Sequence, residues 1–116
     1  MGMDVVGVNP SSERGAYFRR NIWGWHPLWD TVASIAPDVA DRVELPHTND
    51  GDGLDAEGSS ELAQRIDQAL VDGKADESVR ATSAECRRMG MPGAISLEDL
   101  LEFRDFLRDC GGFRIL

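Results

Sequence analysis

The segment of residues 96–116 constrains the fold most tightly, because it predicts a helix followed at once by a strand. Ser96 and Asp99 have the spacing of a capping box, and Gly111 is suited to the C-terminal cap. The apolar residues between these caps share one helical face: Leu100, Phe103, Phe106, Leu107 and Cys110. Residues 113–116 then predict a short strand, so the chain is expected to mix both kinds of element.

The other end of the chain predicts a second strand. Residues 3–8 are almost continuously apolar and β-branched, and Asn9-Pro10 ends the run because the residue before a proline avoids helical geometry. The simplest arrangement pairs the two terminal strands in one small sheet. Between them, Pro27 fits the start of a helix that runs to about Ala36.

A further helix is expected from Ser59 or Ser60 to Gly73, with Glu61 in its first turn. Residues 74–93 are poor in apolar side chains, and we interpret them as a connector ending in a turn at residues 90–93. The sequence therefore predicts an α+β fold, with about three helices packed on a small sheet formed by the N- and C-terminal strands.

Length and composition favour one domain over residues 1–116. The first residues lack the basic and apolar regions of a secretory signal, and no apolar run approaches the ~20 residues that cross a bilayer. Cys86 and Cys110 lie far apart and do not form a disulfide framework. We expect a cytoplasmic protein without a membrane partner, whose thiols are packed rather than reactive.

The negative charge is concentrated in the middle of the chain. The formal net charge is −9, and residues 37–78 hold twelve acidic and three basic side chains. Phosphates repel such a segment, so we expect no direct contact with nucleic acid. A protein partner, with a basic surface, fits this charge better. The oligomeric state stays open.

Aromatic residues are concentrated in residues 17–29, which hold five of the eight Phe, Trp and Tyr side chains. Rings beside guanidinium groups suit a nucleobase or phosphate pocket, and the same composition marks protein interfaces. A third interpretation is that the tryptophans fill the core. The candidate binding residues are Tyr17, Arg19, Arg20, Trp23, Trp25, His26 and Trp29.

We assign no catalytic residue, metal or cofactor from the sequence. The loop of residues 48–55 has a partial calcium-binding pattern, but Thr48 and Ser59 occupy the positions that need Asp and Glu, so we expect an Asp-rich turn. His26 and His47 lack a recognised nucleophile context. A zinc site would have to bring both of them together with the two distant cysteines.

Part of the chain resembles a group of small uncharacterised proteins from bacteria and their phages. The resemblance lies mainly in Gly2-Met3-Asp4-Val5, Asn9-Pro10, Tyr17-Phe18-Arg19, Trp23, Trp25 and Pro27-Leu28-Trp29. Longer members carry two Cys-x-x-Cys pairs, similar to a zinc knuckle, before the last helix. This chain retains only Cys86 there, so the resemblance implies no metal in it. It does imply a phage or mobile-element origin.

We therefore expect a non-enzymatic binding protein that acts through a protein–protein contact, such as a phage-derived inhibitor of a host factor. The alternative is a small-ligand protein that binds a nucleotide-like molecule with the aromatic and arginine side chains of residues 17–29.

Overall fold

The computed structural model describes residues 2–91 and 95–116. The elements in chain order are β1 (Gly2–Gly7), α1 (Glu13–Ala16), β2 (Tyr17–Asn21), α2 (Ile22–Ile35), α3 (Pro37–Ala40), β3 (Gly53–Leu54), α4 (Ala56–Asp72), α5 (Lys74–Arg88), α6 (Leu97–Asp109) and β4 (Phe113–Ile115). This mixture of helices and strands is consistent with the predicted α+β class, although the described part contains six helices rather than about three. None of the described helices is both long and apolar enough to span a bilayer.

The strands form one antiparallel sheet in the order β2-β1-β4-β3. Val5 of β1 lies opposite Ile115 of β4, which confirms the predicted pairing of the two ends of the chain. The sequence did not predict β2 and β3, which form the two edges. The first and last strands in the chain, β1 and β4, are thus the two central strands of the sheet.

One face of the sheet packs against the helices. Met3, Val5 and Phe18 point to this side together with the apolar residues of β4, and all are buried. Phe103 of α6 lies against it, with its ring centroid 5.1 Å from that of Phe18. The core therefore sits between the sheet and the helical layer.

Two helices begin earlier than predicted because side chains upstream cap them. Asn21 accepts a hydrogen bond from the Gly24 amide at 2.9 Å, so α2 begins at Ile22 and contains Pro27. Asp55 accepts one from the Gly58 amide at 2.7 Å, so α4 begins at Ala56 rather than near Ser59 or Ser60.

The predicted connector is wrong over most of its length, because it contains the helix α5. Ala75, Val79 and Cys86 are the buried residues of α5, and these few contacts are enough to dock a largely polar helix. The predicted turn at residues 90–93 lies partly outside the described residues.

The segment that follows β1 and the segment between α6 and β4 lie side by side, with their backbones in direct contact. The amide of Val8 donates to the Gly112 carbonyl at 2.8 Å, and the amide of Asn9 donates to the Cys110 carbonyl at 3.0 Å. A methyl group built on Gly15 of α1 would lie 2.0 Å from the carbonyl oxygen of Asp109. Only glycine fits there, and α1 is thereby held against the end of α6.

Candidate functional site: the outer face of the sheet

The second face of the sheet has no helical cover in the described part of the chain. Because strand side chains alternate between faces, every second residue of β1, β2 and β4 points away from the helices. We call this surface the outer face. Its main side chains are Asp4, Val6, Val8, Tyr17, Arg19, Arg114 and Leu116.

The outer face exposes large apolar and aromatic groups. Val8 is 58% exposed, Tyr17 52% and Leu116 50%. Val6 lies between Tyr17 of β2 and Arg114 of β4 in the register, so these three side chains form a row across the sheet. The result is a surface on which apolar and cationic groups alternate.

A polar cluster fixes one end of this face. The Tyr17 hydroxyl donates a hydrogen bond to Oδ1 of Asp4, and Nη1 of Arg19 donates to the same oxygen at 2.6 Å. The Tyr17 hydroxyl and the Arg19 guanidinium hold the pKa of Asp4 below its usual value. A methyl group on Gly2 would lie 2.3 Å from Nη2 of Arg19, so the missing side chain lets the guanidinium lie across β1. Tyr17 and Arg19 are therefore held in place by contacts within the chain.

This cluster predicts an altered titration of Tyr17, which is the only tyrosine in the chain. Its hydrogen bond to Asp4 raises the pKa of Tyr17, because the phenolate would lose that bond and face a carboxylate. We expect Asp4→Asn to lower the pKa of Tyr17 toward its ordinary value of about 10, since the negative charge is removed. Ultraviolet absorbance of the tyrosinate measures the change directly.

Asp109→Asn is the matched control, because Asp109 pairs with Ser12 and not with Tyr17. It should leave the tyrosine titration unchanged. Identical titration curves for Asp4→Asn and the unaltered protein would show that the Tyr17–Asp4 hydrogen bond does not form in solution.

Two of the predicted site residues belong to the core. Trp25 is fully buried and Trp29 is 3% exposed, and their stacked rings lie 5.7 Å apart. The indole N–H of Trp25 donates to the Pro46 carbonyl at 2.7 Å, which satisfies its polar atom. The expectation that Trp25 and Trp29 line a binding surface is therefore corrected, since neither presents a ring face to solvent.

The other predicted residues lie in different places. Arg20 points to the helical side, lies 4.5 Å over the Phe18 ring and pairs with Asp99 and Glu102 of α6, so it joins the sheet to that helix. Trp23, on the first turn of α2, is 45% exposed. His26 contacts His47. Of the seven candidates, only Tyr17 and Arg19 lie on the outer face.

Asp4, Val6 and Arg114 also lie on the outer face, although the sequence did not predict them as site residues. The available signal was the alternation within each strand, which assigns odd positions of β1 to the core and even positions to the opposite face. A continuous apolar run hides this alternation when the strand lies at the centre of the sheet.

The Asp-rich loop serves the fold through its carboxylates. Asp52 accepts hydrogen bonds from the amides of Leu45 at 2.9 Å and Gly53 at 2.8 Å, while Asp55 caps α4. Among the described residues, no three or more His, Cys, Asp or Glu side chains converge on a potential metal position. Both cysteines are buried with free thiols, and burial raises the pKa of Cys110.

Comparisons with known proteins give no match to this chain, whether with family models, with curated proteins or with solved structures. Its function is therefore inferred from geometry and charge.

Proposed function

We propose that this chain is a non-enzymatic binding protein that contacts a protein partner through the outer face of its sheet. The observation that carries the proposal is the half-exposed state of Val8, Tyr17 and Leu116 on a face without helical cover. Tyrosine and arginine, which both lie on this face, are enriched at protein interfaces. Asp4 reduces the entropy lost on binding, because it already orients Tyr17 and Arg19.

The charge around the outer face favours a partner with a basic surface. The loop that carries Asp50 and Asp52 joins the β4 side of the sheet, where the Gly51 amide donates to the Ile115 carbonyl at 2.8 Å. Several acidic side chains of α3 and α4 are already paired with arginines, such as Asp38 with Arg65 at 3.0 Å. The acidic loop therefore supplies a negative rim beside an apolar centre.

The charged side chains of the edge strand β2 favour binding to a different protein over binding to a second copy of this chain. An antiparallel pairing of two β2 strands centred on Arg19 would place the two guanidinium groups opposite each other. Like charges in that position are destabilising, and charged residues on an edge strand oppose self-association. We accordingly propose a heterologous partner.

We further propose that this partner is a factor of a bacterial host, which the chain inhibits. The support is the resemblance of the chain, at both ends and in the centre, to small proteins of bacteria and phages, together with its small size and acidic charge. The nucleotide-like ligand gains no support, because the Trp25 ring, one of those expected to stack on it, packs in the core.

Site-specific photo-crosslinking tests the proposal. A photoreactive phenylalanine analogue would replace Tyr17 on the outer face or Val71 on α4, which is 84% exposed and serves as the control position. In cells that make the chain naturally, we expect a discrete protein adduct from position 17 and none from position 71. The adduct should also weaken as salt rises, because screening removes the attraction of the acidic rim.

A matched pair of truncations identifies the face. Arg114→Ala removes a side chain from the row that contains Tyr17, and Arg80→Ala removes an exposed arginine on α5 with the same change in net charge. Because arginine side chains contribute contact at protein interfaces, only Arg114→Ala should reduce the adduct. Equal adducts from both crosslinker positions, or an adduct insensitive to Arg114→Ala, would contradict a contact through the outer face.

A further inference from the structure

Two histidines from distant parts of the chain meet at the surface with their ring nitrogens facing each other. His26 lies in α2, and His47 lies in the loop between α3 and β3. Their Nδ1 atoms are 2.5 Å apart, and the ring planes are inclined by 72°. This contact uses both histidines of the chain and lies away from the outer face.

The approach of two Nδ1 atoms requires that a hydrogen or a metal ion lie between them, because two lone pairs would repel each other. A neutral imidazole protonated on Nε2 directs a lone pair outward from Nδ1. Nε2 of His47 lies 3.6 Å from Oδ1 of Asp30, an arrangement that favours the proton on Nε2. If His26 has the same tautomer, two lone pairs face each other, and a proton or a metal ion must join them.

Neighbouring contacts hold the two histidines in place. Trp25 directly precedes His26, and Pro46 directly precedes His47. The hydrogen bond from the Trp25 indole to the Pro46 carbonyl therefore joins the two backbone segments that carry the histidines. The Leu45 amide is held by Asp52 at 2.9 Å. Both imidazoles are partly exposed, so an ion can reach them from solvent.

We propose that His26 and His47 bind a divalent transition metal ion, of which Zn²⁺ is the simplest example, through their two Nδ1 atoms. Imidazole nitrogen is a preferred ligand of Zn²⁺, Cu²⁺ and Ni²⁺, whereas Ca²⁺ and Mg²⁺ prefer oxygen. Water completes the coordination, because the described residues offer no third converging ligand. This inference does not depend on the proposed protein contact.

The geometry needs only a small adjustment to admit the ion. Zn–N bonds of about 2.0–2.1 Å at a tetrahedral angle place two nitrogens about 3.3 Å apart. The rings must therefore separate by less than about 1 Å. Asp30 then acts as a positioning residue that orients His47 through Nε2.

Titration of the full chain with Zn²⁺ alone, followed by calorimetry and by the NMR signals of both imidazoles, tests the site. We expect the two ring signals to shift together. His26→Gln and His47→Gln should each abolish most of the binding, and Asp30→Asn should weaken it by about tenfold, as loss of an outer-shell carboxylate does at other metal sites. Circular dichroism confirms that each variant is folded.

Titration with Co²⁺ distinguishes binding at the two histidines from binding at the cysteine thiols. The expected complex shows no thiolate-to-cobalt charge-transfer absorption, because only nitrogen and oxygen bind the ion. Zn²⁺ affinity unchanged in the His26→Gln/His47→Gln double variant would overturn the proposal. Absence of binding by the unaltered protein, or a thiolate absorption that survives this double substitution, would also overturn it.

Discussion

Trp25→Ala is expected to lower the free energy of unfolding by about 3–5 kcal/mol, the usual range for removing a large aromatic side chain from a core. The Trp25 ring is fully buried, stacks on Trp29 and meets the edge of Phe103 with centroids 5.7 Å apart. Its removal leaves a cavity among these rings and frees the Pro46 carbonyl from its hydrogen bond. The loop that carries His47 loses an attachment at the same time.

Trp23→Ala is the matched control, because it deletes the same side chain two positions earlier on the same helix. Trp23 is 45% exposed, so we expect a change within about 0.5 kcal/mol. Urea denaturation of both variants measures the difference. Equal losses for the two substitutions would show that the aromatic segment is not divided between core and surface.

Gly15→Ala is expected to lower the free energy of unfolding by about 1–3 kcal/mol or more. The added methyl group would lie 2.0 Å from the Asp109 carbonyl oxygen and 2.7 Å from the Cys110 amide nitrogen. These are backbone atoms at the end of α6, so a side-chain rotation cannot relieve the clash. Relief requires α1 to move away from the junction of the chain ends, which also supports β2.

Gly24→Ala is the control for Gly15→Ala, because Gly24 also lies in a helix but has room for a methyl group. A methyl group there would lie 3.6 Å from the nearest atom, Oδ1 of Asn21, which is an ordinary contact. Alanine also favours a helix over glycine by roughly 0.5–1 kcal/mol, so this variant should be neutral or slightly more stable. Thermal unfolding of the two variants compares them. A stable Gly15→Ala protein would contradict the close approach of α1 and α6.

The elements predicted correctly from the sequence have strong local signals. The capping box of Ser96 and Asp99 is present at the start of α6, and the apolar terminal segments pair as expected. The strand β2 was missed because Phe18 is its only buried residue, and an edge strand with two arginines does not look apolar. The helix α5 was missed because it buries only Ala75, Val79 and Cys86 and is otherwise largely polar.

The candidate site could be predicted only in part, because the amino-acid composition of a segment does not show which of its side chains point to the core and which to solvent. Trp25 and Trp29 are one helical turn apart and so share a face, whereas Trp23 precedes Trp25 by two residues and points elsewhere. This spacing has meaning only if residues 23–29 all lie in one helix, and α2 does begin at Ile22. The sequence did not predict that start, because its N-cap, Asn21, is the last residue of the unpredicted strand β2. The contact of His26 with His47 depends on how a loop folds, which local patterns do not encode.

Hydroxyl-radical footprinting with mass spectrometry shows which aromatic side chains lie in the core and which lie at the surface, since it reports the solvent exposure of each one. In the free protein, Tyr17 and Trp23 should oxidise quickly while Trp25 and Trp29 stay protected, and Tyr17 alone should become protected when the partner binds. Rapid oxidation of Trp25 or Trp29, or protection of Tyr17 in the free protein, would contradict a buried indole pair beneath an open outer face.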